Sequence, residues 1–500
     1  MRNIIKITIL TALCTTVVSC NLDRFPSTTL SKENAKKVTE YKMMREGAYS
    51  AFTKLYTGEF LYHPDYQSDL FTELSISGNR GGSFARWSLM TNDSDIERVW
   101  NMHYAAITNA NMFIGGVDNV IEKADNEEDK AALSVMKGEM YLLRAMSFRQ
   151  LALHFCKDYE PETAASEFGV PIVETFDLNH KPHRGTLADT YARITKDIEE
   201  AERLITTPGE SNAKYLTADC VTAFKAQVYL DMHRYDEASQ AAKSLYSKYE
   251  LAQSAADIES MWRQDLSSET IFQFAIGKTE IVTDDPDMRF VDYHGGQLSG
   301  GIWNCAAGYV PEKWVCDLFT AEDWRTGTVI GTESVIQMRG GNNADLTVLR
   351  KYIGNESLRT DENTLRFVTM PKVFRIAEMY LIDAEAQYMD GGTGIEPLNA
   401  LRKARGLAEI IASDENMFTE IQNERVREMI AEGGRLADLK RWKQGFQRDV
   451  QDSPDILVAS GATSTLAKEA DDFMFVWPIP NSEVSVNPNL TDEQNEGWNN

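Results

Sequence analysis

The chain has 500 residues, 43% of them hydrophobic and 10% aromatic, enough for a large core. Its 76 acids against 51 lysines and arginines give a formal charge of −25, which phosphate backbones repel, so nucleic acid is disfavoured as a partner. No stretch reaches, without charges, the roughly 20 apolar residues a membrane-spanning helix needs.

Residues 1–19 start with Arg2 and Lys6. They run through Ile4, Ile5, Ile7, Ile9, Leu10, Ala12 and Leu13 and end at Val17, Val18 and Ser19. A basic start, a short apolar core and a small residue before the cut describe an export signal. Cys20, directly after Ser19, resembles the bacterial lipobox, whose cysteine is acylated and becomes the first mature residue. Each buried acyl methylene contributes about 0.8 kcal/mol, so a multiply acylated Cys20 holds a protein on a membrane surface. The alternatives are an ordinary signal that leaves a free N-terminal cysteine, or a buried N-terminal helix. Residues 20–36 are polar, contain Pro26 and read as a lipidated tether; residues 37–500 are expected to form a single domain.

Helical periodicity dominates the rest of the chain. Helices are predicted at 38–56, 97–122, 186–206, 217–232, 235–249, 371–389 and 416–434, with a broad apolar pattern from Glu139 to Phe155. Ala223, Ala226, Tyr229 and Leu230, followed by Arg234–Ala238 and Ala241, resemble a tetratricopeptide-type hairpin. Ala377 to Ala404, with Ala384, Ala386, Tyr388, Gly391 and Leu398, resembles a second. Such hairpins cannot bury their apolar faces alone and must stack. The expected fold is therefore mainly α, a tetratricopeptide-like helical-repeat scaffold. Residues 60–95 and 260–370 interrupt it with glycine-rich, aromatic, irregular sequence. Short strands are predicted at Thr270 to Ala275 and Val329 to Met338. Irregular segments on a helical frame are where function is expected.

Chemistry-bearing motifs are sparse. There is no H-E-x-x-H, no G-x-x-x-x-G-K and no G-x-S-x-G, so no catalytic residue is assigned. Cys156, Cys220, Cys305 and Cys316 contain no C-x-x-C and read best as buried thiols, although Cys305 and Cys316 are close enough in sequence to pair. His180 and His183 share a loop, and Asp93, Asp95 and Glu97 alternate like a calcium loop but lack its glycine. Asp284, Asp285 and Asp287 form another acidic cluster. His180 and His183 could bind a metal, but both acidic clusters read as solvated surface, and no metal or cofactor is expected.

Later motifs run in order through the chain. They comprise Tyr104–Ile107 with Asn109–Asn111; Glu139, Leu142, Leu143, Arg144, Ala145 and Phe148; Gly169–Val173; and Phe319, Asp323 and Arg325. Further on come Arg375 and Ala377–Ala386; Leu398, Arg402 and Arg405–Leu407; Glu424, Arg425, Glu432, Arg435, Asp438 and Trp442; and Trp477–Pro480 with Asn487, Pro488 and Trp498. Together they resemble the SusD/RagB family of outer-membrane lipoproteins over nearly the whole mature chain. Two departures are a longer linker between Phe155 and Gly169, and Gly433-Gly434 where a bulkier residue is common. Glu424, Arg425, Glu432 and Arg435 sit at helical offsets that allow ion pairs and read as structural.

The resemblance implies a SusD-like fold without enzymatic activity. It also implies capture of oligosaccharide, or in some members peptide, above a SusC-like TonB-dependent transporter, on a lipid-anchored protein facing the cell exterior. The alternative outside that activity is a helical-repeat scaffold without a small ligand. Sugar binding suits an aromatic platform that stacks on C–H faces, flanked by side chains that read hydroxyls. Trp303, by its position before the Phe319–Arg325 element, is the first candidate platform, with Tyr293 and Tyr309 next. Trp87 with Asn79, Arg80 and Arg86 is expected to complete the site from the other irregular segment.

Overall fold

The computed structural model describes residues 36–177, 179–277, 293, 296–299, 302–336, 343–358, 368–411, 416–451 and 465–498. The predicted signal, Cys20 and Asp284, Asp285 and Asp287 lie outside the described residues.

Helices dominate: Val38–Leu55, Glu59–Gln67, Ser94–Lys123, Glu127–Phe155, Leu187–Leu204, Ala218–Asp231, Tyr235–Lys243, Ala255–Arg263, Ile376–Met389, Ile395–Lys403, Met417–Met429 and Arg435–Arg441. Four of these helices start on a side-chain cap, from Asp93, Asn126, Thr186 and Ser254. Asp93, one of the alternating acids, accepts from the Asp95 amide and caps Ser94–Lys123, so that triplet is a helix start. Thr186 and Asp189 form a capping box on Leu187–Leu204, whose buried Leu187, Tyr191, Ile194, Ile198 and Ala201 make one apolar stripe. Glu127–Phe155 is buried on nearly every side of its C-terminal half and packs against Ser94–Lys123 and Leu187–Leu204.

The two predicted hairpins exist and stack. Tyr235–Lys243 packs on Ala218–Asp231 and on Ile376–Met389. Ser239 Oγ and the Tyr246 hydroxyl donate to Asp383, and Tyr246 stacks on Tyr380 at 3.8 Å. In the second hairpin Gly394 (φ 63°) closes the turn, where a Cβ would fall 2.1 Å from the Ala384 carbonyl oxygen.

Three predicted helices are shorter than expected. The 371–389 segment opens as strand Lys372–Arg375, which pairs with Thr270–Gln273, so its helix starts at Ile376. The 235–249 helix ends at Lys243 because the next turns close through i→i+3 bonds at Leu245, Tyr246 and Lys248. The 416–434 helix ends at Met429, where Lys351 Nζ donates to the Glu428 and Ile430 carbonyls and the Tyr352 hydroxyl donates to that of Ala431. Cations at a helix C-terminus satisfy carbonyls that have no intrahelical donor.

These last contacts belong to a buried ionic network that gathers the C-terminal motifs. Arg325, Arg375 and Arg405 all pair with Glu428. Arg325 also holds Asp323 and Glu424, Arg375 holds Glu269 and Glu432, and Arg405 holds Glu269. Glu424 does pair with Arg427 along its own helix, but the motif acids and bases bond mainly across the fold: Glu432 to Lys351, Arg425 to Asp438 and Arg435 to Asp69. Burial raises the Glu428 pKa, and the guanidiniums of Arg405, Arg375 and Arg325 reverse that, leaving it well below the usual carboxylate range. Gly433 (φ 78°) explains its departure from the family pattern, because a Cβ there would lie 2.9 Å from the Leu61 carbonyl oxygen.

Strands form small sheets. The four-stranded one runs Gly296–Ser299, Ile302–Cys305, Ile330–Val335, Ala344–Leu349, antiparallel at both ends and parallel in the middle. Strand Phe71–Glu73 pairs antiparallel with Tyr309–Pro311, in the register Phe71↔Pro311 and Glu73↔Tyr309. Glu312 lies directly after this ladder, fully buried, and accepts from Thr72 Oγ1 at 2.5 Å. Burial pushes its carboxyl up to about 7, against the opposing effects of Thr72 and Arg448.

Removing one partner from a buried ionic cluster strands the others. Glu428→Gln is expected to cost about 3–5 kcal/mol, read as a lower guanidinium midpoint by tryptophan fluorescence; an unchanged midpoint contradicts the role given to the network. Glu312 titrates in the opposite sense. Its folded pKa lies above the ordinary value of 4.5, so its stabilisation is complete below 4.5 and is lost as pH rises through about 7. Glu312→Gln keeps the Thr72 bond without the charge. The variant is expected to be more stable than the parent at pH 8 by on the order of 2–3 kcal/mol, with the two curves meeting below pH 4.5.

Candidate functional site

The pairing of Phe71–Glu73 with Tyr309–Pro311 brings the two irregular segments onto one surface. Beyond the ladder, the Leu74 amide donates to the Gly308 carbonyl at 2.7 Å. Leu74 then packs with Cys305, Ala307, Val310, Val335, Leu346 and Val348, against the four-stranded sheet. The chain turns over this floor through Ser75–Ser77, Gly78 and Asn79. Ser75, Gly78, Asn79 and Arg80 are exposed, and Ile76 and Arg86 are half-buried. Trp303 lies on the adjoining strand Ile302–Cys305, opposite Leu298 in the hairpin ladder; its side chain lies outside the described residues.

Arg86 is held in place, its Nη1 donating to Glu73 at 2.7 Å and its Nη2 to Asn79 Oδ1. Glu73 also accepts from Ser77 Oγ, so one buried carboxylate organises the whole turn. The resulting edge presents amide and guanidinium groups beside a strand hairpin. Such groups donate to hydroxyls or carboxylates in fixed directions.

The other three expected platforms are buried, and none offers a free ring face. Tyr309 stacks on Tyr66 at 3.5 Å and donates its hydroxyl to the Arg80 carbonyl, pinning the turn from below. Tyr293 sits among Tyr62, Tyr66, Phe71 and Tyr352. Trp87, at φ 51°, donates Nε1 to the Gln67 carbonyl and packs against Phe446, Phe475, Leu436 and Leu439. In each case the physical reason is the same. A large ring gains more from packing against other apolar side chains than from facing water.

Sequence reasoning missed Tyr66 and Glu73, which carry the stack and the turn. Neither has a local signal, since their partners lie on the other segment or come near only once the chain has turned. It also missed Asp65, which accepts from the Gly433 and Arg435 amides and whose carboxyl burial pushes up to about 7. His183, flagged with His180 for a shared loop, instead meets Glu493 at 2.7 Å. Cys156, Cys220, Cys305 and Cys316 are free thiols, and burial raises the pKa of each.

A family model described as SusD family matches residues 300–498, and a second, described as starch-binding associating with outer membrane, matches residues 29–230. SusD-like protein P38 of Formosa agariphila is 24% identical over 517 residues, spanning 94% of this chain and 93% of that protein. Starch-binding protein SusD of Bacteroides thetaiotaomicron is 28% identical over 159 residues, 29% of this chain and 25% of that protein. Among solved structures, a SusD superfamily protein from Bacteroides thetaiotaomicron superposes with a TM-score of 0.75 at 23% identity, covering 91% of this chain and 98% of that one. A putative sugar binding protein from Bacteroides vulgatus superposes with a TM-score of 0.74 at 21% identity, covering 93% and 99%. One SusD model ends inside the stacked helices and the other takes in most of the ionic network; together they match about four fifths of the chain, which belongs to the SusD/RagB family.

Proposed function

We propose that this chain is a carbohydrate-binding lipoprotein of the outer membrane that captures oligosaccharide and passes it to a SusC-like TonB-dependent transporter. The observation that carries this reading is the pairing of Phe71–Glu73 with Tyr309–Pro311, which sets the 74–86 turn on the second irregular segment, four residues after the strand that bears Trp303. The names of similar proteins, starch-binding and sugar binding among them, support the ligand class. Trp303 supplies the ring face against the C–H face of a sugar. Asn79, Arg80 and Arg86 read its hydroxyls. Trp87, Tyr293 and Tyr309 hold these groups at fixed positions from beneath and do not touch ligand. Cys20 carries the acyl chains, and residues 20–36 give the protein the reach to sit over its transporter. The part played by the chain is binding and delivery, with no bond made or broken.

Affinity electrophoresis against a panel of polysaccharides tests this. The parent protein is expected to be retarded by at least one glycan. Trp303→Ala is expected to lose at least fivefold of that retention while its melting temperature stays within about 2 °C, as for a surface residue. Failure of every glycan to retard the parent protein contradicts the proposal, and a large fall in melting temperature places Trp303 in the core.

A further inference from the structure

A cavity of about 710 Å³ opens between the chain that follows the Glu127–Phe155 helix and the C-terminal residues, with Asp158, Glu160, Lys443 and Phe473 in its wall. It shares no lining residue with the edge described above. Beside it His233 projects from the turn between Ala218–Asp231 and Tyr235–Lys243, a turn closed by the Arg234 amide on the Tyr229 carbonyl. His233 Nε2 lies 3.7 Å from Asp158 Oδ2, and Nδ1 lies 3.9 Å from Glu160 Oε2. Both Asp158 Oδ2 and His233 Nε2 are shut off from solvent, and neither has a hydrogen-bond partner among the described residues.

Two buried polar atoms that face each other without a bond are costly, and each calls for a partner between them. Their separation is too long for a hydrogen bond and suits two ligands on one small cation. One ligand atom from each of the three residues lies within 4.8 Å of the other two. A tetrahedral ion with bonds of about 2.0–2.2 Å spaces its ligands about 3.4 Å apart, close to the 3.7 Å between His233 Nε2 and Asp158 Oδ2; Glu160, which faces Nδ1, must turn its carboxylate toward Nε2 to join them.

We infer that Asp158, Glu160 and His233 bind a divalent transition-metal ion of the zinc class. One imidazole and two carboxylates suit such an ion, whereas calcium takes six to eight oxygens. Lys443 Nζ holds Glu160 Oε1 at 2.5 Å and leaves Oε2 for the metal. Three protein ligands leave a further coordination position on the side of the cavity that Asp158 and Glu160 line. The ion staples the segment after the central helix to the turn of the first stacked hairpin. Spacing in the sequence could not reveal the site, because its ligands come from two loops that only the fold brings together.

Chelator-treated, dialysed protein titrated with zinc chloride by calorimetry tests this, with one equivalent expected to bind saturably. His233 has φ 58°, which asparagine tolerates, so His233→Asn removes the ligand without forcing the turn. His233→Asn and Asp158→Asn are each expected to weaken zinc at least tenfold, while His183→Asn, at the surface contact with Glu493, leaves it unchanged. If a variant does not fold, the His233 imidazole nitrogen resonances of the parent protein serve instead and are expected to shift on zinc addition. No saturable binding by the parent, unchanged affinity in folded His233→Asn, or His233 resonances that ignore zinc overturns the assignment.

Discussion

The fold turns on one carboxylate. Glu428 is shared by Arg325, Arg375 and Arg405, and through them by Glu269, Glu424, Glu432 and Asp323. Taking so many charges out of water costs several kcal/mol per ion, and the pairs return that only when geometry is good and every partner is present. The network therefore adds less to net stability than its size suggests. What it imposes is a single arrangement: five stretches of chain from residue 269 to residue 432 must meet at once, or charges are left buried and unpaired.

That constraint reaches the surface. The helix that bears Glu428 ends where Lys351, Arg375 and Tyr352 take its last carbonyls, and the chain then turns through Gly433 into Arg435. Arg435 pairs with Asp69, while Asp65 accepts from the Gly433 and Arg435 amides. Two residues beyond Asp69, the chain enters the strand that pairs with Tyr309–Pro311 and carries the exposed turn. A rigid interior thus sets the position of an edge whose own residues are loop, the arrangement expected where a scaffold presents variable binding groups.

Much of this was legible in the sequence because it is local. Helix positions followed from apolar spacing, and the order of the motifs announced the family. The motif arginines and acids were recognisable as structural, but their partners were not, since helical offsets suggest neighbours and the fold chose distant residues. The strand at Lys372–Arg375 was hidden because its partner lies about 100 residues earlier. Trp87, Tyr293 and Tyr309 looked like platforms because a single sequence does not separate a ring over a loop from a ring under one. For Tyr309 the pairing of Phe71–Glu73 with Tyr309–Pro311 decides that question, joining segments about 240 residues apart, and for Trp87 the contacts with Phe446, Phe475, Leu436 and Leu439 decide it.

In the proposed function two distant segments form one ligand edge on a frame that does not move. Hydrogen–deuterium exchange, with and without a glycan retained by the protein, tests it most directly. Slower exchange is expected in both 74–86 and 302–311 on binding, with the Glu127–Phe155 and Ile376–Met389 helices unchanged. Protection confined to one of the two segments, or centred instead on the cavity beside Asp158, would contradict it.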